Sequence, residues 1–237
     1  MSKPFQFKQF TIHQEKTAMK VGTDGVLLGA WAKVNSDACT ILDIGAGTGL
    51  IALMMAQRSN AEVIDAVELN NEAYEQTVEN FELSEWGDRL FCYHASLQEF
   101  VDEIEDKYDV IISNPPFYTS TYKELSNERA MARHTESLNY KELLEGVSKL
   151  LSKQGSCAFI IPFQEEENFI AIANELGLFP NRITRVKGTK TTPIKRSLLQ
   201  CSFVQAELKV NELIIEIKRH QYTQDYMDLV KDYYLRM

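Results

Sequence analysis

The chain reads as an α/β fold with a mostly parallel sheet and helices on both faces. Three observations predict this. Strand-length apolar runs alternate with helix-length amphipathic stretches along most of the 237 residues, the pattern of strands joined by helical crossovers. One such run, Ile41-Leu42-Asp43-Ile44, passes straight into a glycine turn, Gly45-Ala46-Gly47-Thr48-Gly49, and then into a helical pattern. Another, over 108–113, ends at Asn114-Pro115-Pro116-Phe117-Tyr118, where two consecutive prolines continue neither a ladder nor a helix.

Taken in order, residues 5–13 alternate Phe5, Phe7 and Phe10 with polar neighbours, as a short strand or arm does. Residues 26–33 read as a short helix opening after Gly25. Strands are expected over 39–44, 62–67, 89–94, 108–113, 156–161, 182–187, 198–206 and 211–217, and helices over 48–58, 71–84, 139–152, 165–176 and 224–235. The last two strands are separated only by Glu207-Leu208-Lys209-Val210. They are expected to pair as an antiparallel hairpin at the edge of the sheet. No Pro-, Gly- or Ser-rich linker interrupts the pattern, so residues 1–237 read as a single domain, with 1–36 as an N-terminal attachment and 37–237 as the core.

Composition narrows the classes of function. The net charge is −9, from 34 acidic and 25 basic residues. This argues against indiscriminate nucleic-acid binding but leaves room for a local basic patch. The cysteines, Cys39, Cys92, Cys157 and Cys201, are far apart and lie in or beside apolar runs, so buried free thiols are expected rather than ligands or disulfides. The histidines are equally scattered, and no metal site is readable. The start has no apolar signal region, and no run approaches membrane-spanning length. A reduced cytoplasm fits these features. Nothing marks a stable protein partner, and a monomer is expected.

The Asn-Pro-Pro turn carries the chemistry. It lies at a strand's carboxyl end, where ligands bind in open α/β sheets. The Asn114 side-chain oxygen and the Pro115 carbonyl form a pair of acceptors suited to an amino group with two hydrogens. Phe117 beside them can stack on a planar base, with Tyr118 assisting. The plain alternative is a turn breaker and nothing more. The glycine turn has the wrong spacing for a dinucleotide, because Gly49 follows Gly47 by two residues instead of three, and no lysine follows as a phosphate loop requires. Glu68 ends the second strand, 19 residues after Gly49, and a carboxylate there can accept both hydroxyls of a ribose. Its plain alternative is a solvated strand-end charge.

Asp-Ile-Gly-Ala-Gly-Thr-Gly followed by Asn-Pro-Pro-Phe, in this order, resembles the class I S-adenosylmethionine-dependent methyltransferases, and among them those that methylate amino groups. The resemblance implies a Rossmann-like fold with a seven-stranded sheet and an antiparallel C-terminal hairpin. It implies that Gly45, Gly47 and Gly49 pass under the cofactor's amino-acid part with Asp43 close by. Glu68, with Leu69 next to it, holds the ribose. Ser96, in His94-Ala95-Ser96-Leu97, stands where an acidic adenine contact is usual. Two further blocks narrow the likeness. Residues 19–31, Met-Lys-Val-Gly-Thr-Asp-Gly-Val-Leu-Leu-Gly-Ala-Trp, and residues 193–199, Pro-Ile-Lys-Arg-Ser-Leu-Leu, are similar to the bacterial valine-tRNA adenine-37 N6-methyltransferases. In such enzymes the N-terminal block closes over the cofactor, which brings Lys20, Thr23 and Asp24 to the cofactor side. Asp24 also reads as a cap for the helix that follows.

Charge distribution agrees modestly with an RNA substrate. Residues 62–106 hold 14 acidic residues and one basic, Arg89, whereas residues 180–196 hold six basic residues and no acid. Within the latter, Lys187, Lys190, Lys195 and Arg196 are the candidate phosphate contacts, joined by Arg133, which with Arg129 and His134 follows the Asn-Pro-Pro motif. A solvated basic loop is the competing reading. Two other substrate classes remain open: glutamine side-chain amides of protein, and bases of ribosomal RNA. A non-catalytic RNA-binding scaffold on a decayed methyltransferase fold is a further possibility, weakened by the intact glycine turn, Glu68 and Asn114. The cofactor is expected to be S-adenosylmethionine, the macromolecular partner tRNA, and no metal or membrane is called for.

Overall fold

The computed structural model describes residues 3–115 and 139–236. Its elements are β1 (Phe5–Gln6), β2 (Thr11–Ile12), α1 (Thr23–Trp31), β3 (Thr40–Ile44), α2 (Leu50–Arg58), β4 (Val63–Glu68), α3 (Asn71–Glu82), β5 (Leu90–His94), α4 (Leu97–Glu103) and β6 (Tyr108–Ser113). After the Asn-Pro-Pro motif come α5 (Tyr140–Leu150), β7 (Leu151–Pro162), a 3-10 turn (Phe163–Glu165), α6 (Glu166–Glu175), β8 (Phe179–Thr189), β9 (Ile194–Ser202), β10 (Lys209–Lys218), β11 (Gln221–Tyr222) and α7 (Gln224–Val230).

Among the described residues the main sheet has nine strands in the order β11-β10-β8-β9-β7-β6-β3-β4-β5. β5, β4, β3, β6 and β7 are parallel neighbours, and β9 runs antiparallel between β7 and β8. The chain reverses its order between β3 and β6, the topological switch where a ligand crevice opens. Two apolar clusters sandwich the sheet. One contains Ile41, Ile64, Val110 and Ile112 with α2, and the other contains Leu42, Ile44, Ile111 and Phe159 with α5. Successive residues on one strand thus serve opposite faces, as a doubly covered parallel sheet demands.

Several expectations need correction. The antiparallel hairpin is formed by β8 and β9, not by the last two long strands. β10 instead crosses over and joins the far side of β8 in parallel, Val210 opposite Ile183 and Leu213 opposite Val186. A short connection between two strands gives no information about a third strand that intervenes. α1 opens three residues early, at Thr23, because extended Gly22 is its N-cap, and Asp24 sits inside the first turn rather than capping it. α4 lies in a stretch to which the sequence reading assigns no element. Its signal was present as Ser96-x-x-Glu99, a reciprocal capping box. Among the thiols, Cys157 and Cys201 are buried, but Cys39 is exposed and Cys92 only half-buried.

The N-terminal attachment is docked by polar and aromatic contacts. Phe7 stacks on Phe10 and on Tyr234 near the C-terminus, and Phe10 meets the edge of Trp86. Trp31, at the end of α1, donates from Nε1 to Thr184 Oγ1 at 2.9 Å and lies under Arg182 at 4.2 Å. The buried amide of Asn80 on α3 treats His13 as a strand partner would. Its Oδ1 accepts the His13 N–H and its Nδ2 donates to the His13 carbonyl, both at 2.8 Å, while the same Nδ2 reaches Thr48 O at 2.8 Å. Asn80→Ala leaves these backbone groups without partners, and a loss of about 2–3 kcal/mol is expected. Urea unfolding of the variant checks this; a midpoint equal to the parent's would mean that water replaces the amide at no cost.

Candidate active site

The carboxyl edge of the sheet brings four sequence motifs together: the glycine turn after β3, Glu68 after β4, Ser96 after β5 and Asn114 after β6. The glycine turn is held by backbone and side chains together: Gly45 and Ala46 N–H donate to Val67 O at 2.8 and 3.2 Å, and Gly49 N–H donates to Ala46 O at 2.9 Å. Gly45, Gly47 and Gly49 all have positive φ, 77°, 60° and 75°, which non-glycine residues adopt only with strain. They differ in what surrounds them. A Cβ on Gly45 or Gly47 would meet nothing within 4 Å, whereas one on Gly49 would lie 2.7 Å from Phe81 Cε1. Gly45 and Gly47 therefore face open space at the sheet edge, while Gly49 is a packing glycine against α3. The role expected for all three separates accordingly.

Glu68 bridges this turn to the next one. Its Oε2 accepts Gly47 N–H and its Oε1 accepts Asn70 N–H, each at 2.8 Å. Each oxygen keeps a further lone pair for another donor. Thr77 Oγ1 donates to Gly47 O at 3.0 Å, completing the clamp on that peptide from α3. Leu69 is 52% exposed beside Glu68, an apolar surface open, among the described residues, to a ligand. His94, which the sequence reading passed over, fixes this region by contacting Leu69 O through Nε2 at 3.0 Å and stacking on Tyr74. No pattern in the sequence marked it.

Asp43 is buried beneath the turn. Oδ2 accepts Ala52 N–H at 3.1 Å, and Oδ1 has no partner among the described residues. Burial pushes its carboxyl up to about 7, against the stabilising bond from Ala52 and with a smaller push from the charge of Glu68. Asn114 presents a second orphan. Its Oδ1 is shielded from solvent and meets no donor among the described residues, although an unpartnered buried acceptor is costly. Ser113 Oγ ties the same strand end to Ile44 O at 2.8 Å, so Asn114 is set beside the glycine turn. Pro115 is buried. Phe117, Tyr118 and Arg133, with Arg129 and His134, lie outside the described residues.

Other candidates are engaged in ways the sequence did not reveal. Ser96 caps α4: its hydroxyl donates to Glu99 Oε2 at 2.7 Å and accepts Glu99 N–H at 3.2 Å. Lys20 is exposed, and its ammonium is held by the carbonyls of Gln14 and Thr17. Thr23 is exposed, and Asp24 pairs with Arg196 at 2.8 Å. In the basic run, Arg185 makes a two-pronged pair with buried Glu166, and Lys187 pairs with Glu212 at 2.7 Å. Lys190 and Lys195 are exposed, and neither makes an ion pair with a described residue. Because β8 runs parallel to β7, the β8–β9 turn that carries Lys190 reaches the same sheet edge as Asn114. Among the described residues no cluster of His, Cys, Asp or Glu suits a metal, and no helix is long and apolar enough to cross a membrane.

Open space over Gly45 and Gly47, a carboxylate with spare lone pairs at Glu68 and a bare Leu69 fit a nucleoside-bearing ligand of the S-adenosylmethionine kind.

A pH experiment isolates Asp43. An unfolded aspartate titrates near 3.8 and the folded one near 7. Between these values the native state retains a proton that the unfolded chain has released, so stability falls as pH rises, by up to about 1.4 kcal/mol per unit, and levels off above about 7. Asp43→Asn keeps an acceptor for Ala52 and removes the titration. The variant is expected to gain on the parent between about pH 5 and about pH 8 in urea midpoints; a gap that does not change with pH would show that Asp43 is ionised throughout.

Comparison with known proteins agrees with this geometry. Residues 21–161 match the family model described as "Methyltransferase small domain". The chain is 56% identical over 238 residues to a protein of Christiangramia forsetii, covering 100% of this chain and 99% of that one. It is 57% identical over 234 residues to one of Flavobacterium johnsoniae, covering 98% and 100%. Both bear the name tRNA1(Val) (adenine(37)-N6)-methyltransferase. A crystal structure from Agrobacterium tumefaciens described as a predicted O-methyltransferase shares the fold at a TM-score of 0.69 and 21% identity, over 89% of this chain and 96% of that one. The chain belongs to the tRNA1(Val) (adenine(37)-N6)-methyltransferase family.

Proposed function

We propose that this protein transfers a methyl group from S-adenosylmethionine to the exocyclic N6 amine of adenine 37 in a valine tRNA. The observation that carries the reading is the buried Asn114 Oδ1 at the carboxyl end of β6, which has no partner among the described residues, adjoining a glycine turn open to a ligand. The names of the full-length relatives favour tRNA over the protein-amide and ribosomal-RNA alternatives. We read residues 1–237 as one methyltransferase domain, with 1–36 as the closing attachment; the shared apolar cluster of Phe7, Phe10, Trp31 and the sheet supports this. A tRNA substrate makes the cytoplasm its working compartment, and the protein acts as a monomer.

The bound cofactor supplies a methyl group already activated on a sulfonium centre. The chain's residues then position the nucleophile. The lone pair of an adenine amine is delocalised into the ring. Asn114 Oδ1 and the Pro115 carbonyl accept its two hydrogens, localising that pair and stabilising the positive charge that develops on nitrogen, and the acidic methylammonium product then loses one proton to solvent. Phe117, with Tyr118 beside it, stacks on the extruded base. Glu68 uses its spare lone pairs for ribose hydroxyls while its bonds to Gly47 and Asn70 keep it aimed. Leu69 covers the apolar face of the nucleoside, and the backbone at Ser96 borders it while the hydroxyl caps α4. Gly45 and Gly47 admit the amino-acid end near Asp43. Arg133, Lys190 and Lys195 supply phosphate contacts, with Lys187 and Arg196 held in internal pairs. With about two lysines of the basic run free, raising salt from about 50 to about 200 mM costs on the order of tenfold in affinity from this run.

Asn114→Ala is expected to leave the affinity for S-adenosylmethionine unchanged and to lower single-turnover methylation about 100-fold. Methylation of total tRNA with labelled cofactor, followed by nucleoside analysis, should yield N6-methyladenosine. Label in protein or in another base would reject the substrate, and a variant with near-parental turnover would reject the acceptor role. Glu68→Ala should weaken cofactor binding by about 1–3 kcal/mol in calorimetry; unaltered affinity in a folded variant would remove Glu68 from the ribose.

A further inference from the structure

The ion pair between Asp24 and Arg196 joins residues 172 positions apart. Arg196 Nε donates to Asp24 Oδ2 at 2.8 Å, and the side chains keep only 31% and 28% of their exposure. A pair this covered is screened less than one on the open surface. What it joins gives it meaning. Asp24 lies in the first turn of α1, and α1 packs against α2, the helix that the glycine turn opens. The contact is tight: a Cβ on Gly25 would lie 3.1 Å from Leu50 Cδ2, and Leu50 directly follows Gly49. On its other side α1 is tied to the hairpin at both ends, by Trp31 to Thr184 and Arg182 and by Asp24 to Arg196.

Arg196 in turn lies near the start of β9, just past the β8–β9 turn that carries Lys190. It pairs with Val186 of β8 and Pro162 of β7, and its Nη1 donates to the Lys195 carbonyl at 3.1 Å. The base of the same hairpin is anchored by buried Glu166, which binds Arg185 and the Ser197 hydroxyl. Tyr140 lies in the fields of both Glu165 and Arg196. A continuous path of contacts therefore runs from the glycine turn through Leu50, α1, Asp24 and Arg196 to exposed Lys195.

We propose that Asp24 is a positioning residue which, by holding Arg196, sets the lysine-bearing β8–β9 turn relative to the glycine turn and makes cofactor and tRNA binding interdependent. The inference rests on the function proposed above. A ligand that fixes the glycine turn fixes α1, and with it the geometry of the turn that meets phosphate. By linkage, tRNA must raise cofactor affinity by the same factor.

The test measures the dissociation constant of valine tRNA with and without saturating S-adenosylhomocysteine, and that of S-adenosylhomocysteine with and without tRNA. The parent should show a coupling of about fivefold in both directions. Asp24→Asn and Arg196→Gln should each reduce the factor to about one, the double variant should go no further, and Asp24→Glu should retain it. Thermal unfolding of each variant separates loss of coupling from loss of fold. A parent that binds both ligands without coupling, or an Asp24→Asn variant with coupling intact, overturns the inference alone. So does an Arg196→Gln change that weakens tRNA binding equally with and without Asp24, because Arg196 would then be a phosphate ligand in its own right. A parent that binds S-adenosylhomocysteine but no tRNA overturns the proposed function, and this inference with it.

Discussion

The site depends on how the polar groups of the glycine turn after β3 are satisfied. Val67 O on β4 accepts the Gly45 and Ala46 N–H groups, and Gly49 N–H closes on Ala46 O. Side chains add three further bonds. Glu68 takes the Gly47 N–H, Thr77 gives to the Gly47 carbonyl, and Asn80 gives to the Thr48 carbonyl. Each donor or acceptor comes from β4 or α3, so the second strand and the helix after it are templates for the first loop. The arrangement lets Gly45 and Gly47 stay bare on the ligand side. It also explains why Thr77 and Asn80 are buried on α3 where an apolar stripe would be usual, while Gln76 beside them is buried accepting the Lys16 N–H of the arm.

The basic run shows how composition can mislead about availability. Six cations in 17 residues look like an RNA surface, yet four are committed within the fold. Arg182 covers Trp31, Arg185 meets Glu166, Lys187 meets Glu212 and Arg196 meets Asp24. The partners lie far away in sequence or on strands that the sequence did not place as neighbours, so no window of residues reveals them. What is left at the carboxyl edge is Lys190 in the turn and Lys195 at the start of β9, neither in an ion pair with a described residue, held on a stiff base. Stiffness reduces what binding must spend on ordering the surface.

Local chemistry was legible, and neighbourhood was not. The strand carrying Tyr108–Ser113, the glycine turn and the Asn-Pro-Pro stop follow from residue types with strong backbone preferences. Glu68 followed from its distance to the turn. The insertion of β8 between β9 and β10 did not, because alternation fixes which face a residue serves but not which strand lies beside it. Asp24 looked like a cap because Asp before a helix usually is one; extended Gly22 took that place and released the carboxylate for Arg196. Ser96 stands where the family resemblance puts an adenine contact, and its hydroxyl closes the four-residue capping box of α4.

The two tryptophans have a practical consequence. Trp86 meets Phe10 of the arm, and Trp31 closes the end of α1 under Arg182. Both indoles therefore lie where the first 36 residues touch the rest of the molecule, and none lies in the middle of the sheet. Intrinsic emission is in effect a gauge of arm docking. A change in it on adding ligand reports the attachment settling or lifting, and a melting curve followed by it can finish before the sheet itself has come apart.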